Sequence, residues 1–282
     1  MIKINFRIDR YKIAALFLLA VSLGLFVVLY SGKKELNSMF SEAADEYKLR
    51  NYQKAVDVYK QINVRYHGSA EAEEAALRAA EIYYFNINNH RLSIQLLERL
   101  IAGGEYAEYV LKAKILLARI YSEETGQLED ALLLLREANR MEIAVNYRHE
   151  IFLLCAKICS SMGYFKRASG YYNDAIKLIK NPSKLIDAKI HLAAAYTAMF
   201  ERKKAEKVFR ELLTMKELTD SQRSRIELQL FQNLDEQDRF EDALEIINVV
   251  ISRDPTNEFL LRERKRIREE IQFIKEAKTH RW

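Results

Sequence analysis

The chain has 282 residues, only two prolines and eight glycines, and a formal charge of +5. So little Pro and Gly argues against sheets joined by tight turns, and the abundance of Ala, Leu, Glu and Lys predicts helix nearly throughout. Residues 1–12 hold +3 and residues 262–282 hold +4, which leaves −2 for the body; a nucleic-acid binder would carry a basic stripe there instead.

Residues 1–12 form a short basic segment with Lys3, Arg7, Arg10 and Lys12. Residues 13–30, IAALFLLAVSLGLFVVLY, carry no charge. At about 1.5 Å per residue they span about 27 Å as a helix, close to the ~30 Å of a hydrocarbon core. Tyr11 and Tyr30 flank the run, where aromatic rings favour the interface. An uncleaved transmembrane signal-anchor in the bilayer is therefore expected. The alternative is a cleaved secretory signal, which has a shorter apolar core and a small-residue cleavage site; Tyr30 spoils that site. With the basic flank before the span, the N-terminus is expected in the cytosol and everything beyond residue 31 on the far side. In a bacterium that means a single-pass inner (plasma) membrane protein with a periplasmic body. A linker is expected over residues 31–36.

The remainder repeats itself. An apolar helix, a turn, an aromatic or leucine, two residues and a small residue recur as Asn51-Tyr52-x-x-Ala55, Gly126-x-Leu128-x-x-Ala131, Gly163-x-Phe165-x-x-Ala168 and Asp238-x-Phe240-x-x-Ala243. Two weaker copies are Asn89-His90-x-x-Ser93 and Arg202-x-x-Ala205. The small residues fall at 55, 93, 131, 168, 205 and 243, at intervals of 37 or 38. Such a residue suits the place where a second helix crosses the first, since a larger side chain would push the backbones apart. Gly or Asn in the turn tolerates the left-handed conformation that ends the first helix. Tyr59, Tyr172 and Phe209, four residues beyond, share that face and fill the space between hairpins.

With these residues the chain resembles the tetratricopeptide repeat family. Leu192-Ala193-x-x-Tyr196 matches its first-helix signature, Ala205, Phe209 and Leu212 its second, and Asp254-Pro255-Thr256-Asn257 its inter-repeat loop. The family's first-helix tryptophan is missing; Trp282 ends the chain. The resemblance implies an all-α, right-handed superhelical solenoid of about six TPR-like hairpins over residues 37–256. A capping helix and tail over 257–282 would follow, with Leu260, Ile267, Ile271 and Ile274 as its apolar stripe.

The resemblance also implies a concave face lined by the first helix of each hairpin. The family register turns Tyr47, Leu77, Glu81, Tyr84, Arg119, Lys157, Gln232 and Asp235 toward it, as the expected surface for protein partners. Phe40 and Ala44 stand where the family's two-carboxylate clamp would need Lys and Asn, so no clamp is expected. Glu71, Glu73, Glu74 and Glu81 read as a solvated helix face, and so do the basic residues of 262–278 with their interleaved glutamates. Cys155 and Cys159, four apart on one helix face, read as buried core thiols. No phosphate loop, nucleophile elbow or metal-ligand cluster is visible, so neither catalysis nor a cofactor nor a metal is expected. The expected function is a membrane-anchored scaffold for protein–protein interactions in the cell envelope, serving secretion, envelope assembly or chaperone docking. The alternatives are a soluble secreted or outer-membrane-associated assembly factor after signal cleavage, and an enzyme.

Overall fold

A single helix, α1 (Arg10–Lys48), carries the chain from the apolar segment into the first hairpin. The computed structural model describes the backbone of residues 10–279 and the side chains of residues 30–277 together with Leu18, Leu19 and Ser22. The anchor expected over 13–30 thus falls mostly on side chains outside the described residues. Among the described residues no helix is long and apolar enough to cross a membrane. The linker expected over 31–36 is helical instead. Leu36 is buried there, and Glu35 pairs with Arg65 at 2.6 Å, so this stretch packs rather than swings.

Twelve further α-helices follow among the described residues: α2 (Tyr52–Arg65), α3 (Ala70–Phe85), α4 (His90–Gly103), α5 (Ala107–Ile120), α6 (Leu128–Arg140), α7 (Arg148–Ser161), α8 (Phe165–Ile176), α9 (Pro182–Ala198), α10 (Arg202–Leu213), α11 (Asp220–Asp235), α12 (Phe240–Arg253) and α13 (Glu258–Thr279). A π-turn, Tyr121–Thr125, precedes α6, and a short 3-10 turn, Glu142–Asn146, precedes α7. No strand occurs among the described residues. The chain divides into two units between Ile120 and Tyr121.

In both units neighbouring helices in sequence pack on each other, which is how hairpins too thin to bury their own apolar face become stable. The six small residues of the repeat, Ala55, Ser93, Ala131, Ala168, Ala205 and Ala243, are all fully buried, each the fourth residue of an even-numbered helix. Ser93 replaces alanine without an unmet hydroxyl, because its Oγ donates to the Ala80 carbonyl at 2.9 Å. Start signals are local: Thr219 and Gln222 form a reciprocal capping box on α11, and Asn181 caps α9 ahead of Pro182.

Five residues before each small residue the backbone turns left-handed: Arg50, Asn88, Gly126, Gly163, Phe200 and Asp238 have φ between 56° and 76°. The N–H of the next residue then reaches back to the helix the chain has left, as from Tyr164 N–H to the Cys159 carbonyl at 2.8 Å and from Glu201 N–H to the Tyr196 carbonyl at 2.9 Å. In the first two copies the residue that does this precedes the expected one: Arg50 rather than Asn51, Asn88 rather than Asn89. The small residue sets the register, and the turn follows it at fixed distance whatever side chain it finds there. Phe200 is the extreme case, a bulky ring held at φ 58° and 77% exposed. A left-handed L-residue costs about 1–2 kcal/mol, against which glycine loses some chain entropy. Phe200→Gly should therefore raise stability by about 1 kcal/mol in urea denaturation; an unchanged or lower midpoint would contradict the strain.

In the first unit, Glu73 departs from expectation. It was placed on a solvated face with Glu71, Glu74 and Glu81, yet it is 8% exposed. Its carboxylate accepts the Glu105 N–H at 2.6 Å and the Tyr106 N–H at 3.3 Å, just ahead of α5. Those donors would otherwise be unsatisfied in a covered place, and a carboxylate suits the positive end of a helix. Gly104 makes the approach possible, since a Cβ there would lie 2.5 Å from the Leu100 carbonyl and 2.7 Å from Val110.

In the second unit one core runs from α7 to α13, with Tyr172, Phe209, Ile226, Ile247 and Ile267 at or near zero exposure. α13 closes it with Leu260, Ile267 and Ile271, while Ile274 is partly buried. Cys155 and Cys159 are free thiols in this interior. Burial, with Cys159 close by, pushes the Cys155 thiol up to about 12, the opposite of what a reactive cysteine needs.

Candidate functional site

The site is built on α7 and α9 of the second unit. Both helices turn their apolar sides, with Leu154, Ile158 and Leu192, into the core and leave a polar row outside. Between them lies a cavity of about 400 Å³, lined by Lys157, Ser160, Ser161, Tyr172 and His191 with Ser122 and Glu123 of the π-turn. Tyr172, from α8, is 1% exposed and forms the floor. The His191 imidazole stacks on it with centroids 5.9 Å apart and planes 10° from parallel. The Tyr172 hydroxyl meets Ser160.

The charges around His191 come from three helices. Its pKa is lowered first by burial and next by Lys157 of α7; Asp187 of α9 raises it, and Arg225 of α11 lowers it again. Neither Lys157 nor Arg225 forms an ion pair among the described residues. The cavity thus offers an aromatic floor, hydroxyls, the Lys157 ammonium and the Glu123 carboxylate around an imidazole whose pKa is lowered chiefly by burial. This arrangement suits holding a polar or acidic segment. The described residues hold no group of three His, Cys, Asp or Glu able to bind a metal.

The sign of the pH effect follows. Because folding depresses the pKa, the stability His191 contributes is present above its unfolded value near 6.5 and is lost as pH falls through the folded one. The NMR titration midpoint of His191 should lie below about 6.5, and Lys157→Ala should move it upward. A midpoint unmoved by Lys157→Ala would mean the two side chains do not face each other.

The eight residues projected onto the concave face meet different fates. In the second unit Lys157 lines the cavity and Gln232 is exposed. Asp235 is bound at 2.6 Å to Arg266 of the closing helix α13. In the first unit Tyr47 is 43% exposed and its ring meets Tyr52 at 5.5 Å. Glu81 pairs with Arg78 at 3.2 Å. Burial of Arg78 opposes its charge, but Glu81 and Glu74 outweigh that and raise its pKa. Arg119 is half-buried near the end of α5. Leu77 and Tyr84 are not surface residues: they are 4% and 8% exposed. The reason is that α3 is covered by α2, α4 and α5 together, and its alanines let those neighbours close in around the larger side chains. Tyr84 packs its ring against Phe85 and His90.

His191, Tyr172 as a floor, and Arg225 were missed from sequence. A signal existed: Lys157, His191 and Arg225 recur at an interval of 34, shorter than the 37 or 38 of the small residues. The shorter interval means that the row steps back by about one helical turn from each first helix to the next, since these residues precede Gly163, Phe200 and Asp238 by 6, 9 and 13 residues.

No family model matches the chain, and no curated protein matches it. Among solved structures it is similar to PilW, a type IV pilus biogenesis factor, with TM-score 0.57 and 14% identity over 80% of this chain and 96% of that one. It is also similar to PilF of Pseudomonas aeruginosa, with TM-score 0.57 and 14% identity over 85% and 99%. A third is the C-terminal part of a TPR repeat-containing protein from Cytophaga hutchinsonii, with TM-score 0.53 and 16% identity over 79% and 98%. At these identities the likeness is one of fold: a stack of tetratricopeptide-like helical hairpins.

Proposed function

We propose that this chain is a non-enzymatic scaffold that holds another protein by the open face of α7, α9 and α11. The observation that carries the reading is the cavity lined by Lys157 and His191 over Tyr172, with the charge of Arg225 felt at the imidazole. Stacked hairpins present such faces because their first helices lie side by side, and a groove of this kind takes an extended or helical segment of a partner. Aromatic and cationic side chains there suit a polar, acidic stretch. The uncharged run over 13–30 and its basic flank support an anchored protein with its N-terminus in the cytosol and its hairpins outside, in the envelope of a bacterium. A role in secretion, envelope assembly or chaperone docking fits that placement, and the likeness to a pilus biogenesis factor is in keeping with it.

Photocrosslinking in cells tests the face. A crosslinkable residue in place of Lys157 or Arg225 should capture one discrete partner, and the same group in place of Lys207, exposed on α10, should not. Capture from position 207 alone would refute the assignment. A C-terminal alkaline phosphatase fusion, active only outside the cytosol, tests the topology; activity of a cytosolic reporter instead would overturn it.

A further inference from the structure

The turns that join α7 to α8 and α9 to α10 lie at one end of the second unit, and they adjoin: a shallow groove of about 360 Å³ is lined by Gly163, Tyr164, Phe165, Lys166 and Arg167 of the first and Met199 of the second. Two aromatic rings stand out beside it, Tyr164 at 48% exposure and Phe200 at 77%. The charge is one-sided. Residues 163–167 carry Lys166 and Arg167 with no acid, and residues 199–204 carry Arg202, Lys203 and Lys204 against Glu201, so the two turns together hold +4.

Part of that charge is spent internally. Arg202 lies 5.2 Å over the Phe200 ring and pairs with Glu236 at 2.5 Å, and Lys204 pairs with Glu201 at 3.0 Å. Lys166, Arg167 and Lys203 are exposed and form no ion pair among the described residues, Arg167 only resting 5.9 Å over Tyr164. Exposed apolar rings beside solvent-facing cations make a mixed apolar and basic patch, and Phe200 adds backbone strain to exposure.

The flanking turns decide what fits. The turn before, residues 122–130, carries −4, and the turn after, residues 236–242, carries −3. A flat anionic bilayer would press on all four turns and be repelled at two of them. A short segment meets only the cationic pair. We propose that these two turns form a second docking surface, apart from the Lys157–His191 face, for an acidic peptide segment of a partner protein that carries an apolar side chain for the groove between Tyr164 and Met199.

The probe is a fluorescent eight-residue peptide with six acidic residues, one phenylalanine and one leucine, titrated into the full chain in neutral detergent. Saturable binding is expected, weakening several-fold between about 50 and 200 mM salt because the contacts are exposed. Lys166→Glu with Lys203→Glu should weaken it at least tenfold and Phe200→Ser at least threefold, while Lys207→Ala leaves it unchanged. The wild-type protein gives a check that needs no variant: bound peptide should protect Lys166 and Lys203, but not Lys177, from acylation read by mass spectrometry. Unchanged binding by the charge-reversed protein, or no protection at Lys166 and Lys203, overturns the proposal. So does binding of phosphatidylglycerol vesicles through these lysines with none of the peptide, or self-association that charge reversal abolishes while the peptide fails to bind. Loss of the partner captured at position 157 would leave this surface standing, since neither turn contributes to that cavity.

Discussion

Ala205→Leu should destabilise the second unit by about 1–3 kcal/mol, the usual cost of forcing extra methylenes into a packed interior. Ala205 is fully buried, with Phe209 and Leu212 one and two turns further along the same face of α10. Its methyl lies in one buried cluster with Leu192, Ala193 and Val208, so three added carbons would have to displace packed neighbours. Relief must come from the helices moving apart, which unpacks residues on both sides. Ala168→Leu should behave the same way between α7 and α8, while Lys203→Ala on the surface should cost less than about 0.5 kcal/mol. Urea midpoints at constant slope give the comparison. If Ala205→Leu melted with Lys203→Ala, the crossing point would have to lie elsewhere on α10.

Arg253→Ala should cost more. Glu227 of α11 is 6% exposed, and Arg253, at the end of α12, grips it with two bonds of 2.5 and 2.8 Å. Without the guanidinium an ionised carboxylate stays buried and unpaired. Removing one partner of a buried pair costs about 3–5 kcal/mol, and since the Arg253 side chain is 38% exposed, water can screen part of that, so about 2–4 is expected. The double change Glu227→Leu with Arg253→Ala should recover much of the loss, because no charge is then left buried without a partner. Denaturant melts of the two singles and the double make the cycle. A double variant as unstable as the sum of the singles would show that packing, not the stranded charge, sets the cost.

Much of the fold could be read from residues 55 to 243, because six small residues at near-constant spacing report a purely local need, room where two helices cross. The closing helix was legible for a similar reason, a stripe of Leu260, Ile267 and Ile271 on a helix otherwise rich in charge. What escaped were features set by neighbours distant in sequence. Glu73 looks solvated on its own helix and is covered only because Gly104 lets the chain after α4 pass over it. Tyr84 and Leu77 sit where an open face would run, but three helices surround theirs. The cavity at His191 needed α7, α8 and α9 at once, so the histidine alone gave no sign of it and only its spacing from Lys157 and Arg225 did. The linker expected over residues 31–36 is part of α1, because the helix continues through Gly32 to residues that pack, such as Leu36.

The uniform spacing between each left-handed residue and its small partner has an engineering consequence. Every hairpin of the second unit from α7 to α12 passes through the same left-handed backbone state at its own turn, so the chain can be spliced from one such turn to the next without bending it anew. A gene in which residues 168–204 are written twice in succession would present each copy of α8 with an α9 after it and each α9 with a following helix that opens on a buried alanine. The product should be one hairpin longer, gain helicity in proportion, and melt no earlier than the parent, since stacked repeats gain a neighbour with each addition. Length would then be a free variable of this architecture, adjustable in steps of one hairpin without redesign of the core.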